Sequence, residues 1–107
     1  MRRGELYRVR RPADDPRPAR VFVIVSRQAL IDSRFSTVIC APVYSSGADL
    51  ATQVPVGVDE GLKRNGWIMC DNLVSLAKTQ LTDYVGSLSQ AKVNELARSL
   101  SVALDLL

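Results

Sequence analysis

Two short apolar runs organise the middle of the chain. The first is Arg20-Val21-Phe22-Val23-Ile24-Val25-Ser26, five apolar residues closed by a charge and a hydroxyl. The second is Thr37-Val38-Ile39-Cys40-Ala41-Pro42-Val43, ending on Tyr44-Ser45-Ser46. Runs of this length, rich in β-branched side chains, predict strands buried on both faces. If the two strands are neighbours, Arg20 and the Tyr44-Ser45 pair meet at one rim of the sheet. Alternation over 4–10 predicts a strand before them. Val54, Val56 and Val58 on one face predict another over 52–58, with Pro55 placing it at an edge. Trp67–Cys70 and Tyr84–Leu88 add two more, and the mixed stretch 73–81 holds a short strand and a turn. Trp67 is read as a core residue. Pro42 signals an edge, a bulge or a strand end.

Between strands, Arg11-Pro-Ala-Asp-Asp-Pro-Arg-Pro-Ala19 has the composition of an exposed loop. Ser26 is placed to cap a helical turn over 28–31. The last segment is the clearest helix. Ser89 fits an N-cap, and Val93, Leu96, Ala97, Leu100, Ala103, Leu104 and Leu107 recur at helical spacing. Over 90–106 that helix is about 25 Å long. Six or seven short strands and one C-terminal helix predict a mainly β fold, a small β-barrel or strongly curved sheet. A length of 107 residues fits one domain, 1–107.

Charge changes the picture. The net charge is only +3, yet nine of fourteen basic residues fall in the first 34 positions, and all nine are arginine. Arginine forks match phosphate geometry, which points to nucleic acid or an acidic protein partner. Histidine is absent. This excludes serine–histidine and cysteine–histidine nucleophile systems and any histidine-ligated zinc. Two cysteines are too few for an all-thiolate zinc site. Both sit in apolar runs, which predicts buried, reduced thiols. No metal or cofactor is expected. No run is long enough to span a membrane, and Met1-Arg2-Arg3-Gly4-Glu5 is no signal peptide, so the expected location is the cytoplasm.

Taken in order, several segments resemble the MazF/PemK/Kid toxins, the ribonuclease members of bacterial toxin–antitoxin pairs. They are Gly4-Glu5-Leu6-Tyr7, the loop, the strand opening with Arg20, and Arg34 through Val43. Asp71-Asn72, Leu76-Ala77-Lys78-Thr79-Gln80-Leu81, and Val85-Gly86-Ser87-Leu88-Ser89 before the final helix complete the series. The resemblance implies an SH3-like β-barrel with a C-terminal helix, a homodimer and a cognate antitoxin. It also implies a metal-independent, sequence-selective endoribonuclease acting on single-stranded RNA and leaving 2′,3′-cyclic phosphate and 5′-hydroxyl ends.

Carried over residue by residue, Arg20 takes the catalytic arginine's place and Ser45 matches the serine beside the catalytic threonine. Tyr44 stands where that threonine belongs, and Asp71-Asn72 match the pair lining the RNA groove. Arg11, Arg17 and Arg27 are further RNA-binding candidates. The Tyr44 replacement keeps two alternatives open. One is a non-catalytic toxin of similar fold that binds a protein target such as DNA gyrase, and the other is a degenerate nuclease. Each residue also has a structural reading, with Arg20 paired to Asp71 or Glu5 and Asp71 accepting bonds in its own turn.

Overall fold

In a computed structural model of the protein, residues 1–106 are described. The strands are β1 (Glu5–Val9), β2 (Arg20–Ile24), β3 (Thr37–Tyr44), β4 (Gln53–Val56), β5 (Gly66–Met69), β6 (Val74–Ala77) and β7 (Asp83–Ser87). The helices are α1 (Gln28–Asp32) and α2 (Gln90–Ala103). All seven strands join one curled antiparallel sheet in the order β4-β5-β3-β2-β1-β7, with β6 also on β3. The result is a half-barrel with one long helix, as the pattern predicted.

Most of the two apolar runs is covered because the sheet has a core on each side, and Ile39 in the second run is left exposed. Val23 and Val25 join Leu6, Ala41, Val54, Ile68 and Leu96 in the inner cluster, which α2 closes. Ile24 joins Tyr7, Ile31, Val38, Cys40 and Leu81 in an outer cluster beneath α1. Successive side chains of β2 therefore alternate between two cores rather than between core and water. Both cysteines are free and buried. Burial pushes the Cys40 thiol up to about 12. Burial, helped by the Asp71 carboxylate, pushes Cys70 up to about 11.

Pro55 does lie on edge strand β4. Pro42 instead lies inside β3, opposite Phe22. It falls where the outer neighbour of β3 changes from β6, ending at Cys40, to β5, starting at Val43. A missing N–H is best tolerated at such a seam.

Three local expectations are corrected. The helical turn α1 forms, but Ser26 does not cap it. Arg27 occupies the N-cap position, and the Ser26 Oγ accepts the Ile39 N–H at 2.7 Å. At the other end, Lys78 Nζ donates to the carbonyls of Leu30 and Ser33, where a cation suits a helix C-terminus. Helix α2 starts under its Ser89 cap, which accepts the Lys92 N–H, but ends at Ala103. Asp105 turns into the left-handed region, φ 56°, so the apolar spacing outruns the helix. The Leu107 position in that spacing lies outside the described residues. Finally, Trp67 is not core. It is half-buried on the outward face of β5, in a cross-strand row with Tyr44 and Pro55.

Candidate functional site

The pairing of β2 with β3 builds the site. The register that sets Phe22 against Pro42, extended by two residues, sets Arg20 against Tyr44. The Arg20 guanidinium carbon lies 4.4 Å from the Tyr44 ring centroid. Its Nη1 donates to the Val43 carbonyl at 3.2 Å. One bond and one aromatic face fix the fork and leave its other N–H groups free for a ligand.

Neither carboxylate considered as a partner reaches Arg20. Glu5 instead accepts from the Arg2 N–H and the Tyr7 hydroxyl. Burial, helped by the Glu5 carboxylate, pushes the Tyr7 phenol up to about 12. Asp71 accepts the Thr52 hydroxyl at 2.6 Å. Among the described residues, Arg20 has no ion-pair partner.

A hollow of about 380 Å³ opens at this rim, at the mouth of the half-barrel. Val21, Val43 and Leu62 give it apolar walls, and Arg20, Tyr44 and Ser45 stand along one side. All three proposed catalytic residues thus border one space. Ser45 begins an exposed loop that folds back over Trp67. A Cβ on Gly47 would sit 2.3 Å from the indole Cγ, so the backbone there lies directly on the ring. The Ala48 N–H donates to Gln53 Oε1 at 2.8 Å, a second tie.

The remaining candidates are more scattered. Pro18 and Ala19 bring the 10–19 loop to the hollow's edge. In that loop Arg17 is bound to Asp15 at 2.8 Å, which lowers the Asp15 pKa to about 2, chiefly through their side-chain hydrogen bonds. Arg11 Nε donates to the Pro18 carbonyl. Arg27 lies at the other end of β2 from Arg20, at the start of α1, and does not border the hollow. Asp71 and Asn72 lie in the 3₁₀ turn beyond the far end of β5, whereas the hollow touches its near end at Gly66. Two cations that the sequence reading passed over do line it, Lys63 and Arg64, and Arg8 joins them from β1. The only sequence signal was a pair of adjacent charges in a polar turn.

The fold is a curled β half-barrel with one long C-terminal helix, and three arginines, Arg8, Arg20 and Arg64, line the hollow at its rim. Residues 2–104 match the family described as PemK-like, MazF-like toxin of type II toxin-antitoxin system, and the chain belongs to that family. It is 29% identical over 104 residues to endoribonuclease MazF4 of Mycobacterium tuberculosis, covering 97% of this chain and 92% of the relative. It is 30% identical over 88 residues to endoribonuclease MazF3 of the same species, covering 82% and 84%. Among solved structures, an endoribonuclease in complex with its cognate antitoxin from Mycobacterial species superposes with a TM-score of 0.85. That structure is 28% identical, with 100% of this chain and 97% of that chain covered. The M. tuberculosis toxin MazF-mt6 gives 0.81 at 25% identity, covering 94% and 96%.

Proposed function

We propose that this protein is the toxin of a toxin–antitoxin pair and an endoribonuclease that cuts single-stranded RNA at the Arg20 hollow. The observation that carries this reading is the fixed, unpaired guanidinium of Arg20 beside Tyr44 and Ser45 in an open, basic mouth. The names of the relatives add weight to it.

In the proposed reaction the substrate's own 2′-hydroxyl attacks the adjacent phosphorus. A 2′-oxygen–phosphorus bond forms and the bond to the 5′-oxygen breaks. The proton lost by the 2′-hydroxyl is balanced by one gained at the departing 5′-oxygen. The products are a 2′,3′-cyclic phosphate and a 5′-hydroxyl. Arg20 holds two phosphate oxygens with its fork and stabilises the charge that develops on them. The Ser45 hydroxyl borders the same space and serves as a further donor. Tyr44 is a positioning residue, since its ring carries the guanidinium.

Charge stabilisation and orientation, two of the reaction's needs, can come from these residues without a metal. Arg11 and Arg17 lie in the loop beside the hollow, where bound RNA would pass. Asp71 and Asn72 are exposed beyond it, suited to reading base edges of a strand that runs on along β5. Arg27 is placed to touch RNA only away from the hollow.

The proposed antitoxin lays an acidic, largely disordered segment over the same basic mouth and excludes RNA. The proposed assembly is a homodimer. Exposed Phe35, Ile39 and Val74 on and beside the β3–β6 ribbon are the apolar surface that supports it. Among the described residues no helix is long and apolar enough to cross a membrane. The proposed location is the cytoplasm, where the proposed RNA target would be met.

The test is purified protein with short RNAs of varied sequence, with and without EDTA. Cleavage that survives chelation and is lost in Arg20→Ala, with the fold intact, is the expected result. Gyrase binding without cleavage, or an Arg20→Ala variant that cuts at the parent rate, overturns the reading.

A further inference from the structure

The hollow holds more positive charge than one phosphodiester needs. Arg8, Arg20, Lys63 and Arg64 line it, and no aspartate or glutamate does. Among the described residues Lys63 and Arg64 form no ion pair, and Arg8 reaches Asp83 only at 4.0 Å. A scissile phosphodiester carries one negative charge, and the Arg20 fork suffices for it. The other cations are left facing an open space.

The backbone that leads into Lys63 and Arg64 is anchored, and both side chains are exposed. Their turn joins β4 to β5 and is tied at several points. The Leu62 N–H donates to the Gly57 carbonyl, and Glu60 Oε1 accepts the Gly57 N–H at 2.7 Å. Gly61 adopts φ 93°, and a Cβ there would fall 2.2 Å from the Val85 carbonyl oxygen. Gly66 is wedged against Val43 and the Tyr44 carbonyl. Leu62 packs on the inner core while the two residues after it are exposed. The turn therefore sets both residues on the hollow that Arg20 also lines.

We infer that Lys63 and Arg64 hold the RNA phosphate next to the scissile one, so that the strand threads between β2 and the 62–65 turn. The assignment builds on the proposed RNA cleavage at Arg20 and extends it to the substrate's flanking backbone. Contacts of this kind fix the strand's register without reading its sequence.

The test compares the parent with the double variant Lys63→Ala/Arg64→Ala. Equilibrium binding to uncleavable 2′-O-methyl single strands of several sequences is measured between 50 and 200 mM KCl. Each phosphate contact on a single strand adds about 0.7 to the salt slope. The double variant is expected to lose about 0.7 from the slope and about 5-fold in affinity at 0.1 M salt, because the pair neutralises one phosphate. The loss should be equal for all sequences, with the thermal midpoint unchanged, and Lys63→Arg/Arg64→Lys should restore the slope. Parallel slopes with equal affinities, or a loss confined to some sequences, overturn the assignment. If the parent still cleaves RNA in that case, the catalytic reading stands without it. A parent that neither binds nor cleaves overturns both.

Discussion

The guanidinium of Arg20 rests on the ring of Tyr44, its central carbon 4.4 Å from the ring centroid. This contact gives the tyrosine a task that does not involve its hydroxyl. Such a cation–π contact contributes about 0.5–1 kcal/mol at an exposed site and more when shielded. Tyr44→Phe should therefore keep most of the parent's cleavage rate. Tyr44→Ala should lose about 10-fold, as the fork is released from its seat. Single-turnover kinetics on a short RNA distinguish the two. A Phe variant as impaired as the Ala variant would show that the phenol itself takes part.

Arg20→Lys keeps the charge and removes the fork. A point charge cannot hold two phosphate oxygens in one plane, nor stack on Tyr44 in the same way. The cleavage rate should fall about 10²–10³-fold, close to the loss in Arg20→Ala. The urea midpoint should barely move, because the only hydrogen bond given up is the one to the Val43 carbonyl. A lysine variant with near-parent kinetics would mean that charge, not geometry, is what the phosphate needs.

The Ser45 loop depends on a glycine. A methyl group on Gly47 would collide with the indole of Trp67, the only tryptophan in the chain. Gly47→Ala should lift the loop, lower the cleavage rate several-fold, and shift the protein's tryptophan emission toward that of an exposed indole. Because the loop is exposed, global stability should change by less than about 0.5 kcal/mol. An unchanged emission spectrum together with an unchanged rate would show that the loop finds another path.

Gly86 has a structural role of a different kind. A Cβ there would lie 2.1 Å from the Glu60 carbonyl oxygen, in backbone with nowhere to retreat. Gly86→Ala should cost about 1–3 kcal/mol, as overpacking does. At about 4–8 °C per kcal/mol for a domain of this size, calorimetry will register it easily. A midpoint within a degree of the parent's would mean that the 57–61 turn moves freely away from β7.

The buried thiols set an alkaline limit. Cys40 and Cys70 titrate at about 12 and about 11 in the fold, against an ordinary value of 9.0. Burial pushes Tyr7 in the same direction, to about 12 from 10.0. These groups hold their protons more tightly when folded, so the unfolded chain loses protons first as pH rises. Their stabilising contribution is complete below pH 9 and disappears between about 9 and 12. Urea midpoints should be level from pH 7 to 8.5 and fall by pH 10.5. Both thiols should resist alkylation until the chain is denatured.

What the sequence disclosed follows the distinction between strand interiors and connections. The two apolar runs read as strands, with Ile39 the exposed exception, and their charged and hydroxylic ends mark one rim, which brings Arg20, Tyr44 and Ser45 together. Arg27 lies away from the hollow, because the length of β2 carries it to the strand's other end. Lys63-Arg64 carries no local sign that its turn returns to Tyr44, which only the pairing of β5 with β3 brings about. Trp67 read as core because its apolar neighbours do face inward. Only the cross-strand register turns it outward, and only the long-range return of Gly47 covers it. Ser26 was read as a cap from its position before a helical turn, while a backbone N–H thirteen residues away claimed its hydroxyl.

The strand nearest the N-terminus pairs on one side with β2 and on the other with β7, made of residues 83–87. Synthesis must therefore reach residue 87 before β1 acquires its second neighbour. An interrupted translation product lacks the partner that closes the structure.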